Sequence, residues 1–143
     1  MTTTANTVAP APTPPAPFTV LGLVEPLPGF PTHRDYALVA ADNDGLLFWL
    51  QSVDPDGPRF LAVPPARFFP DYAPVLPGTV CAELDVEDPA DVQLYCLLTV
   101  PRGDVGAATA NLRAPVAVNP VAGRARQVVL ADGAHPIRRP LRR

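Results

Sequence analysis

The chain is 143 residues long with a formal net charge of −3, 48% hydrophobic residues and 21 prolines, enough for one domain with its own core. Each proline lacks a backbone donor and breaks helix interiors, which excludes long helices and leaves a mainly β fold. The chain has no lysine, all 11 basic residues being arginine, so Schiff-base, phosphate-loop and lysine-base chemistries are excluded.

Residues 1–17, MTTTANTVAPAPTPPAP, carry no charge and no aromatic. This composition cannot bury enough surface to offset its ordering entropy and predicts a disordered Ala/Pro/Thr-rich arm. Residues 18–24 predict an edge strand and 27–30 a turn. Residues 35–41 and 46–53 form the first hairpin around Asp42-Asn43-Asp44-Gly45, residue types that accept a tight reversal. In its second strand, Leu46, Phe48 and Leu50 share one side and Leu47, Trp49 and Val53 the other, so both faces are expected to be covered. The turn 54–58 leads to a strand over 59–63, stopped by Pro64-Pro65. Residues 79–84 read as a short helix or a strand, and Asp88-Pro89 as a break. Residues 92–100 alternate as a strand should. Residues 114–119 and 126–131 form a last hairpin around Pro120-Val121-Ala122-Gly123. Six to eight short strands predict an all-β fold, a small antiparallel β-barrel-like domain over 18–141 with at most one or two short helices and a basic end at 142–143.

Charge is divided along the chain. Residues 35–104 hold 12 acids against 3 arginines, net −9, whereas from residue 105 onward 7 arginines face Asp132 alone, net +6. An acidic body disfavours direct nucleic-acid binding and suits either a basic protein partner or solubility alone. No apolar run reaches membrane-span length, and the N-terminus lacks the pattern of a secretory signal, so the expected compartment is the cytoplasm.

No enzyme signature survives inspection. His33 and His135 lack partners at metal-ligand spacing, and Cys81 and Cys96 form no CxxC pair, so neither a metal nor a cofactor is expected. The Asp-rich turns lack the glutamate that ends a calcium loop. Ser52, the only serine, has no GxSxG setting. What stands out is aromatic: six of ten aromatics lie within residues 48–72. In FFPDY, Pro70 interrupts any ladder, Arg67 and Asp71 bracket the rings with charge, and adjacent Phe68 and Phe69 cannot both face inward from an extended segment. The segment is expected to plug a barrel end or to contact a partner through Phe68, Phe69, Asp71 and Tyr72.

LPGF, FWLQSVDPDGPRFLAV, ARFFPDY and TANLRAPVAVNPVAGRARQVVL, with RRPL near the end, together resemble the flagellar assembly factor FliW family from about Phe18 to Leu141. Two departures stand out: Arg124 and Arg126 replace the lysines usual around the last hairpin, and the stretch before Asp85 is less acidic than in the family. The resemblance implies a non-enzymatic protein without cofactors that exchanges partners. It implies binding to cytoplasmic flagellin and to the translational regulator CsrA, relieving CsrA's repression of flagellin synthesis. Within the matching motifs, Asn111, Arg113, Asn119 and Gln127 are further candidates for partner contact, against the alternative that they satisfy local backbone. Two other classes fit a small barrel: a single-stranded nucleic-acid binder, although its arginines and aromatics lie in different halves of the chain, and a flavin-binding split barrel, although no Gly-rich phosphate cradle is present.

Overall fold

The structure is a computed structural model and describes residues 18–131 and 133–141. The arm expected over 1–17 and the basic end at 142–143 lie outside the described residues. Among the described residues nine strands are formed: β1 (Phe18–Leu23), β2 (Asp35–Ala40), β3 (Phe48–Ser52), β4 (Arg59–Val63), β5 (Gln93–Thr99), β6 (Thr109–Ala110), β7 (Val116–Asn119), β8 (Arg124–Gln127) and β9 (Arg139–Pro140), with one α-helix, α1 (Gly78–Glu83). β1 to β5 follow one another antiparallel, β5 pairs β7, β7 pairs β8, and β8 returns to β1. That closes a seven-stranded barrel and removes its sheet edges.

One feature departs from an all-antiparallel barrel: β8 runs parallel to β1. Strand directions cannot alternate all the way around a ring of seven, so one join must be parallel. β6 and β9 extend the sheet beyond the end of β5.

Period-2 alternation sorts the side chains. Leu21, Leu23, Tyr36, Leu38, Leu50, Val116, Val118 and Ala125 fill the barrel with Phe30, Phe48, Phe60, Tyr95 and Leu97. Inside, Phe48 and Tyr95 meet edge to face at 5.2 Å and Phe30 and Phe60 at 5.7 Å, a geometry that aromatic quadrupoles favour. The opposite faces of β5 and β7 are also covered. Val80 of α1 and Leu84, which caps its C-terminus, pack there with Ala117, Val128 and Leu130.

The segment left open between helix and strand is therefore the helix α1. Residues 126–131 were expected to be a strand, but pairing in β8 ends at Gln127. Val128 and Leu130 instead bond back to Pro115 O and Arg113 O and pack beneath α1. In the β3–β4 turn, a Cβ at Gly57 would lie 2.2 Å from Ser52 Oγ, so only glycine fits this close approach.

Candidate functional site

FFPDY is not an extended segment. Pro64-Pro65 starts a 3₁₀ turn over Pro65–Arg67, and the amides of Phe68 and Phe69 both bond to Pro65 O. Tyr72 N then bonds to Phe69 O, so the chain coils rather than forming a ladder. The coil lies on the outer face of β4 and β5, where Val63, Cys96, Ala110 and Leu112 form a second core with Phe69, joined by Phe68, Tyr72, Leu98 and Leu141. FFPDY thus covers the barrel's flank and does not plug its end. Coiling also changes the roles of the two rings: Phe69 is only 7% exposed, while Phe68 is half-buried and Asp71 exposed.

Above this core is a groove of about 620 Å³, lined on one side by Phe68, Phe69, Pro70, Asp71 and Tyr72 and on the other by His135, Pro136, Arg139 and Leu141. The second wall comes from the C-terminal segment, which is held by the β9–β6 pairing, by Leu112 N to Pro136 O and by Leu141 N to Ala108 O. The Arg139 guanidinium stands 5.1 Å from the Phe69 ring centroid, and His135 meets Tyr72 edge to face at 5.1 Å. The walls thus join aromatic faces, a cation and the Asp71 carboxylate, a surface suited to an apolar segment with polar edges.

The floor of the groove is held firmly. Tyr72 Oη donates to Leu112 O at 2.6 Å. Burial raises the Tyr72 pKa, reinforced by the adjacent Cys96. Burial likewise pushes the Cys96 thiol up to about 12, its contact with Tyr72 opposing that shift, which leaves Cys96 a neutral, unreactive thiol.

The other sequence candidates divide. Asn111 and Arg113 flank Leu112 at the groove floor; Asn111 Oδ1 accepts from the amides of Arg113 and Ala114. Asn119 is elsewhere, buried, donating to Leu84 O at 2.8 Å and Asp85 O at 3.3 Å while accepting from Val121 N and Ala122 N. Gln127 Nε2 donates to Ala114 O at 3.1 Å. The structure therefore gathers Phe68, Phe69, Asp71 and Tyr72 with Asn111 and Arg113 nearby, and leaves Asn119 and Gln127 outside the groove. Sequence reasoning missed His135, Arg139 and Leu141. The RRPL motif was the only signal for Arg139 and Leu141, and His135 was weighed only as a metal ligand; nothing local in either says that the segment crosses FFPDY.

Among the described residues, no group of three or more His, Cys, Asp or Glu side chains could hold a metal ion, and no helix is long and apolar enough to cross a membrane.

A sequence model described as "FliW protein" matches residues 3–141. The chain is 34% identical over 114 residues to a flagellar assembly factor FliW of Moorella thermoacetica, covering 80% of this chain and 72% of that one. It is 38% identical to one from Symbiobacterium thermophilum, covering 79% and 82%. A crystal structure of the flagellar assembly factor FliW superposes with a TM-score of 0.77 at 27% identity, covering 86% of this chain and 85% of the other. With a family match that spans the barrel, the helix and both walls of the groove, this chain belongs to the FliW family.

Proposed function

We propose that this protein is a cytoplasmic, non-enzymatic flagellar assembly factor that switches between two partners. Bound to flagellin, it holds the subunit before export. Free of flagellin, it binds CsrA and relieves repression of flagellin synthesis. Such a switch needs only mass action, because two complexes that draw on one limited pool set each other's occupancy. The observation that carries the reading is the aromatic groove between FFPDY and the C-terminal segment, in a chain of the FliW family. An amphipathic flagellin end, unpaired before assembly, suits a groove whose apolar floor is edged by Asp71, His135 and Arg139.

Phe69 is buried in the outer core and Tyr72 is hydrogen-bonded to Leu112 O, so the binding test uses the half-buried Phe68 and the exposed Asp71, as Phe68→Ala and Asp71→Arg. In pull-downs with purified flagellin and CsrA, these variants are expected to bind flagellin at least tenfold more weakly while the melting temperature stays within a few degrees of the parent. Unchanged flagellin binding by both variants would show that the groove is not its site. Parent protein that captured neither partner would overturn the whole reading.

A further inference from the structure

The barrel's outer surface is treated unequally around the ring. α1 covers β5 and β7, and FFPDY covers the ends of β4 and β5, but β1 to β3 and the start of β4 carry no such cover among the described residues. Cross-strand register aligns two rows there: Phe18, Val39, Trp49 and Leu61 in one, and Val20, Ala37, Gln51 and Arg59 in the next. Six of these eight side chains are apolar. Phe18 is 55% and Val20 52% exposed, and Val53, also exposed, continues the patch where its amide bonds Asp35 O. Arg59, the one cation in the rows, lies on the Trp49 ring at 4.3 Å.

The ends of this face are acidic. Asp42 and Asp44 stand in the β2–β3 loop, Asp54 and Asp56 in the β3–β4 loop at the opposite end, and Asp35 begins β2. Four strands about 4.8 Å apart make a platform roughly 14 Å wide, and a helix about 10 Å across fits it. The molecule meets the same need on β5 and β7 with a helix of its own.

We infer that the outer face of β1–β4 is a second docking surface, separate from the groove, for an amphipathic helix of a partner protein that lies along the strands and whose apolar stripe is bounded at both ends by basic residues. The apolar rows take the stripe, and the carboxylates at both ends select arginine or lysine over acid.

Trp49 is the chain's only tryptophan, so its fluorescence reports occupancy directly. The full-length protein is titrated with a synthetic helical peptide carrying a leucine stripe flanked by arginines, and with a matched peptide flanked by glutamates. A saturable blue shift with the arginine peptide alone, weakened by added salt, is expected. Val20→Glu should weaken it at least tenfold, and the exposed loop pair Asp44→Arg with Asp56→Arg several-fold, each with an unchanged circular dichroism spectrum. Four results would overturn the inference: no saturable shift with the arginine peptide; equal shifts with both peptides; a shift with protein concentration alone, accompanied by a dimer mass in sedimentation; or acrylamide quenching showing Trp49 as shielded as a core tryptophan in the monomeric full-length chain. The last two would assign the face to a second copy or to the chain's own segments.

Discussion

Tyr36 and Tyr72 bury the same hydroxyl under opposite conditions. Tyr36 is fully buried in the barrel, and its Oη finds no protein partner among the described residues. Tyr72 Oη donates to Leu112 O. An unpaired buried hydroxyl costs about 1–3 kcal/mol, while a made hydrogen bond contributes about 1. Tyr36→Phe is therefore expected to leave stability unchanged or raise it by up to about 1 kcal/mol, and Tyr72→Phe to lower it by about 1 kcal/mol, as read from urea unfolding. Asn119 is a stronger case. Its amide joins the end of α1 to the β7–β8 turn through Leu84 O, Asp85 O, Val121 N and Ala122 N. Asn119→Ala strands several of these groups at once and should cost about 2 kcal/mol.

At the scale of elements, α1 shows what local sequence leaves unsaid. Its stop is a complete Schellman motif: Val86 N bonds Cys81 O at 2.9 Å, Asp85 N bonds Ala82 O at 3.2 Å, and Asp85 takes a left-handed φ of 61°. Glycine is the usual residue there. With aspartate in its place, and with only six helical residues to show a period, residues 79–84 read equally well as helix or strand. Asp85→Gly should relieve roughly 1 kcal/mol of backbone strain and raise the melting temperature by a few degrees in calorimetry. FFPDY was legible as an interruption, because Pro70 forbids a ladder, but not as a 3₁₀ coil against β4 and β5. The hairpins around 42–45 and 54–57 were plain because Asp, Asn and Gly are chemically suited to reversals.

Across the whole molecule, the titrating groups with raised pKa values all favour the protonated fold. Burial moves Cys96 from its ordinary 9.0 up to about 12 and raises Tyr36, Tyr72 and Tyr95 above 10.0. A raised pKa in the folded state means stability that is complete below the unfolded value and lost as pH climbs toward the folded one. In reducing buffer, the urea midpoint should hold from neutral pH to about 9 and fall above it, with a slope of at most about 1.4 kcal/mol per pH unit for each group. Cys96→Ala should lower the starting stability and flatten the part of the decline that begins near pH 9.

Composition and pattern alone determined that the chain is all-β, with most of its short strands in place, a concentration of aromatics around FFPDY and an acidic middle. Those properties reside in proline's missing donor, in two-residue alternation and in charge, all readable within a few neighbours. Only the tertiary structure decided the seven-stranded closure with its one parallel join, because the parity of a ring belongs to no single strand. It also decided that residues 68–72 meet residues 134–141 across a groove, and that Phe18, Val39, Trp49 and Leu61 align in one row. Both depend on register between segments distant in the chain, which the hydrophobic packing of the closed barrel selects and no local signal encodes.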